Sequence, residues 1–135
     1  MTRTPAAAVP VRDVYRRAGV AAHAASDKKG DDVVVLDVGD ILSIAEAFVM
    51  VSASNTRLVR TIVEEIELAL ELSDDESPRS VEGLADATWV LIDYGDVIAH
   101  VFLAETRDFY DLDRLWADAP AVEWESLAHL AERSY

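Results

Sequence analysis

Two pairs of carboxylates in this chain have the spacing to do chemistry. Asp37-Val38-Gly39-Asp40 and Asp93-Tyr94-Gly95-Asp96 both read D-x-G-D. Carboxylates clustered at strand ends hold Mg²⁺ for phosphoryl or nucleotidyl transfer. Ser52-Ala53-Ser54, ahead of a helix, approximates a phosphate-binding turn. The D-x-G-D pattern is equally that of a tight polar turn. The chain has no Gly-rich phosphate loop, no G-K-S/T, and no Lys or Arg beside either motif to neutralise a phosphate. A divergent metal-dependent nucleotidyltransferase using Asp37, Asp93 and Asp96 is thus one alternative, a homodimeric scaffold with Trp89 in its seam another, and a non-enzymatic regulator the leading expectation. No serine lies in G-x-S-x-G, there is no cysteine, and His23, His100 and His129 form no H-x-x-x-H pair. Neither a cofactor nor a metal is expected.

The elements that position these residues alternate between strands and helices. After Pro10, Val11, Val14, Tyr15, Ala18, Ala22 and Ala25 recur at helical spacing, with Gly19 inside weakening the helix. Val33-Val34-Val35-Leu36 is short and continuous, which predicts a strand buried on both faces. Phe48-Val49-Met50-Val51 predicts a second strand, and Ser54 or Asn55 a cap on the next helix. That helix carries one apolar stripe, Leu58, Val59, Ile62, Val63, Ile66, Ala69 and Leu70, and an acidic outer face. An extended piece follows at 79–82, then strands 88–93 and 97–102 joined by Tyr94-Gly95. Residues 103–116 read as one or two helical turns, and Val122, Leu127 and Leu130 as contacts of a last amphipathic stretch. The expected fold is α/β, a mixed sheet sandwiched with helices. The chain divides into a leader over 1–9, a domain over 10–118 and an extension over 119–135.

The hairpin carries the functional signal. With Tyr94-Gly95 as its loop, Asp93 opposes Asp96, Leu91 opposes Ile98 and Trp89 opposes His100. Side chains alternate, so one face carries Val90, Ile92, Val97, Ala99 and Val101 and packs under the helices. The other carries Trp89, Leu91, Asp93, Asp96, Ile98 and His100, a poor core. Opposed carboxylates are destabilising, and a partner's Lys or Arg relieves them. An aromatic anchor with aliphatic neighbours and a charged rim has the composition of a protein-binding patch. Alternatively, a loop or the C-terminal tail covers Trp89 and His100 is satisfied inside.

Charge narrows the class of partner. Residues 1–30 carry six basic residues against Asp13 and Asp27, whereas the remainder carries six against 24 acidic ones, and the whole is −14. Such a body repels phosphate backbones, so little direct nucleic-acid contact is expected. It favours a basic protein partner, although acidity also simply keeps a small protein soluble. No apolar run approaches the ~20 residues of a membrane span, and the first ten residues carry no secretory signal. The expectation is a cytoplasmic protein.

Two stretches resemble a known family. Trp89-Val-Leu-Ile-Asp93-Tyr94-Gly95-Asp96-Val-Ile-Ala-His100-Val-Phe102 and Glu105-Thr-Arg107-Asp-Phe-Tyr110-Asp-Leu112-Asp113-Arg-Leu115-Trp116 are similar to the ribosomal silencing factor (RsfS/Iojap) family. Leu36-Asp37-Val38, Ser43, Phe48-Val49, Ser52-Ala-Ser54 and Val81-Glu82-Gly83 fall at its spacing too. The resemblance implies a nucleotidyltransferase-like fold without that activity. It implies a homodimer that binds the large ribosomal subunit through its basic fourteenth protein and blocks small-subunit joining. By motif it puts partner contacts on Trp89, Asp93, Tyr94, Asp96 and His100. The chain departs from the family pattern at Glu46-Ala47, where Asp-Tyr is usual, and at Val51-Ser52, where Thr-Gly is usual.

Overall fold

The computed structural model describes residues 13–127. Helix α1 (Asp13–Asp27) leads into strand β1 (Asp31–Asp37), and a loop returns the chain as β2 (Ala47–Ala53). Helix α2 (Thr56–Asp74) is followed by β3 (Ser80–Glu82), β4 (Trp89–Asp93) and β5 (Val97–Leu103). Short helices α3 (Ala104–Tyr110) and α4 (Leu112–Leu115), strand β6 (Ala121–Val122) and a 3-10 turn at Trp124–Ser126 complete it. The strands form one open sheet, ordered β3-β4-β5-β2-β1-β6. Among the described residues only the β2–β5 pair is parallel. The fold is mixed α/β with flanking helices, as the alternation of elements predicts.

Helices α1 and α2 cover one face. The α2 stripe is buried as its periodicity requires, with Leu58 half-buried at its margin. Asn55 caps the helix, its side chain accepting from the Leu58 N–H at 2.8 Å. Gly19 has a packing reason: a Cβ there would stand 2.7 Å from Leu127 Cδ1, so the glycine admits the C-terminal segment against α1. Val90, Ile92, Val97, Ala99 and Val101 lie in this helix-covered core, as alternation predicts.

The opposite face is only partly covered, by the loop after β1 and by α3 and α4. This corrects the expectation for β1: Val35 alone is fully buried, while Val33, Val34 and Leu36 are half-buried. The chain from Pro120 onward supplies edge strand β6, which pairs with β1 at Val35 and Leu36. It also supplies Trp124, whose indole donates to the Val33 carbonyl at 3.1 Å. His23 is half-buried, 3.0 Å from the Leu127 carbonyl and edge-on to Trp124. Leu130 and His129 lie outside the described residues.

Candidate partner-binding face

The two D-x-G-D motifs are the same device. In each, the first aspartate accepts from the glycine N–H two residues on: Gly39 to Asp37 at 3.0 Å and Gly95 to Asp93 at 2.7 Å. These are Asx turns, in which a short side chain mimics a backbone turn. The turns converge because the Asp96 carbonyl accepts from both Glu46 N–H and Ala47 N–H. A cleft of about 650 Å³ lies between them, with Asp37, Asp40, Glu46, Arg79 and Asp96 in its wall. Among the described residues, no group of three His, Asp or Glu side chains is placed to hold a metal ion. Ser52, in the stretch that approximates a phosphate-binding turn, is instead buried, and its hydroxyl receives a hydrogen bond from Arg107 at 2.9 Å.

The hairpin register differs from that expected. Tyr94 N–H donates to Val97 O, so the two-residue loop is Gly95-Asp96, with Gly95 at φ +90° in its first position. Trp89 then pairs with Phe102, Leu91 with His100 and Asp93 with Ile98. Asp93 and Asp96 do not oppose each other. Asp96 is held by Arg17 of α1, whose guanidinium also bonds Asp13 at 2.9 Å. Tyr94 points into the helix-covered core, and burial, with Glu67 and Glu76 nearby, pushes its phenol up. A partner reaches the Tyr94 side chain only by opening that core.

The remaining residues do share a surface. Trp89, Leu91 and Asp93 are half-exposed, whereas Ile98 and His100 are buried beneath them. Trp89 Nε1 donates to His100 Nδ1 at 3.2 Å, so neutral His100 carries its proton on Nε2. That Nε2 is buried without a partner. Phe48 packs on the His100 ring at 4.6 Å, and Tyr110 of α3 covers one side of Trp89 at 5.6 Å. A helix, rather than a tail, therefore half-covers Trp89. Phe109 (81% exposed), Tyr110 and Leu115 extend the apolar surface beyond the hairpin.

Sequence reasoning passed over the residue that seats α3. Arg107 is buried and makes two hydrogen bonds to Asp113, at 2.8 and 3.2 Å, one to Asp32 O and one to Ser52 Oγ. The guanidinium fork satisfies all four at once and joins α3 to the ends of β1 and β2. An arginine six positions before Asp113 was the available signal.

Burial alone depresses the His100 pKa to about 4, from an ordinary 6.5. The unfolded chain therefore takes up a proton near pH 6.5 while the folded chain stays neutral, so this contribution to stability is full above pH 6.5 and is lost as pH falls towards 4. Acidification from pH 7.5 to 5 is expected to remove about 2 kcal/mol through this group. Urea denaturation across that range checks it against His100→Asn, which keeps an acceptor for Trp89. An unchanged slope in the variant would contradict the assignment.

An open sheet with helices on one face and a half-covered aromatic surface on the other defines a small acidic α/β domain. The model of the family described as "Ribosomal silencing factor during starvation" (RsfS) matches residues 12–134. A Halalkalibacterium halodurans protein named ribosomal silencing factor RsfS is 39% identical over 108 residues, 80% of this chain and 92% of that protein. Its Bacillus subtilis namesake is 35% identical over 106 residues, 77% and 87% of the two chains. The crystal structure of a Chromobacterium violaceum protein superposes with a TM-score of 0.74 at 28% identity, covering 78% of this chain and 87% of that one. The chain belongs to the ribosomal silencing factor family, and the resemblance carried by the hairpin and α3 motifs is confirmed. Among the described residues no helix is long and apolar enough to cross a membrane.

Proposed function

We propose that this protein is a translation repressor that seats its half-covered sheet face on the large ribosomal subunit. The observation that carries the proposal is the family match across nearly the whole chain. The partner is the basic fourteenth large-subunit protein, at the surface where the small subunit joins, and occupation of that surface blocks joining by bulk alone. A net charge of −14 suits a basic protein and opposes direct contact with rRNA. Within the face, Trp89 is the anchor, Leu91 and Asp93 flank it, and Ile98 and His100 support it from below. Asp96 and Tyr94 contribute by holding the turn. The protein acts in the cytoplasm, as a homodimer, through a nucleotidyltransferase-like fold that performs no catalytic step.

Co-sedimentation with purified large subunits, repeated after addition of small subunits, tests the proposal. The protein is expected to pellet with the large subunit and to lower the yield of joined ribosomes. Trp89→Ala is expected to weaken the complex by about 2 kcal/mol or more. Wild-type affinity in a folded Trp89→Ala protein would sink this interface. Saturable Mg²⁺-dependent nucleotide binding, abolished by Asp37→Asn, would favour the transferase alternative instead.

A further inference from the structure

We infer that the groove between the start of β4 and α3 receives one arginine side chain of a basic protein partner. The identity of that partner rests on the proposed ribosomal function; the chemistry of the groove does not. The groove, about 420 Å³, is lined by Trp89, Phe109 and Tyr110 together with Thr88, Glu105 and Thr106. The two rings stand 5.6 Å apart, tilted by 49°, and Phe109 meets Tyr110 edge-on at 5.0 Å. Aromatic side chains as exposed as Phe109 (81%) and Tyr110 (55%) mark a contact surface.

Charge selects the occupant. Glu105 is exposed and has no ion-pair partner among the described residues. The one cation of α3, Arg107, is buried and committed to Asp113, Ser52 and Asp32, so the groove has none of its own. A groove with aromatic rings and an unpaired carboxylate in its lining, on a chain of net charge −14, is complementary to a planar cation. Arginine fits better than lysine, because its guanidinium stacks on aromatic faces while its N–H fork meets a carboxylate.

The test titrates the full chain with N-acetyl-arginine methylamide and with its neutral citrulline isostere, following the Trp89 indole signal by NMR. That signal is assigned by its loss in Trp89→Phe. The arginine probe is expected to shift the signal saturably and the citrulline probe to bind at least about fivefold more weakly. Glu105→Gln is expected to erase that difference, and Tyr110→Leu, which keeps apolar bulk at an exposed position, to weaken arginine binding. Equal response to the two probes, or wild-type behaviour in Glu105→Gln, would overturn the inference. Against large subunits, both variants are expected to bind about tenfold more weakly. A chain that fails to pellet yet still discriminates the probes would refute the ribosomal partner and uphold the groove. A dimer that dissociates in Tyr110→Leu without probe discrimination would show a seam between copies and refute the groove.

Discussion

Replacing Gly83 with alanine is expected to cost about 4 kcal/mol of folding stability. Gly83 follows β3 at φ +93°, a left-handed conformation that a side chain resists. A Cβ there would collide with the Trp89 carbonyl oxygen and lie 3.2 Å from the carbonyl carbon and 3.4 Å from Val90 Cα. All three are backbone atoms of β4, so relief requires moving the strand rather than turning a rotamer. The Gly83 carbonyl also accepts from Ala87 N–H at 2.9 Å, closing the loop that delivers the chain to Trp89. The loss should therefore reach the binding face as well as the global fold. Urea midpoints measure the first, and the Trp89 indole environment the second. A wild-type midpoint in Gly83→Ala would mean that the loop and β4 are not in the register described.

The second large effect belongs to Arg17. Its side chain is only 10% exposed and bridges Asp13, Glu76 and Asp96, tying α1 to the end of α2 and to the hairpin turn. Beside it, Arg16 pairs with Asp13 at 2.7 Å and Asp74 at 2.5 Å. Arg17→Met keeps the apolar stem but leaves these carboxylates with one cation among them. The expected cost is about 3 kcal/mol at pH 7, at the low end for a buried pair because water reaches Asp13. Arg17→Lys should recover only part, since one ammonium cannot serve three carboxylates as a guanidinium does. The pH dependence supplies an independent check. Burial, with Asp96, Asp74 and Asp13 nearby, raises Glu76 above its ordinary 4.5. A raised carboxyl contributes stability that is present at low pH and lost as pH rises through its folded pKa. Without Arg17 the raise grows, so the deficit of the variant should shrink as pH falls into the carboxylate range. A deficit constant from pH 7 to 4.5 would count against an electrostatic cause.

Local periodicity made most of the fold legible. The α2 stripe, the cap at Asn55 and the β4–β5 hairpin all follow from neighbours in sequence. The hairpin faces survived a misplaced loop for a geometric reason. Moving the turn one residue along slides the pairing by two, which leaves each strand residue on its own face and displaces only Asp96, now in the loop and turned to α1. What failed was the pairing itself: Asp93 and Asp96 were set against each other, although Asp93 closes its own turn and Asp96 reaches α1. Arg17 is 79 positions from Asp96, and no local pattern records that meeting. Tyr94 rests on the family resemblance alone; its even-numbered register with Val90 and Ile92 points to the core, where the structure buries it. The run 33–36 misled because a continuous apolar strand implies two covered faces, whereas Val34 and Leu36 lie on the partly covered face and Val33 at the margin of the helix-covered one.

The sheet ends in two very short strands, β3 with three residues and β6 with two. Beyond β6 there is little unpaired backbone for another chain to copy, and Pro120, just ahead of it, has no N–H to offer. Among the described residues, the two terminal strands themselves offer only a short template for strand addition, the usual route by which sheets polymerise or capture extended peptides. Recognition is left to side chains. A change of partner can then be written in a few surface residues of β4 and α3, while the backbone stays indifferent to every other strand in the cell.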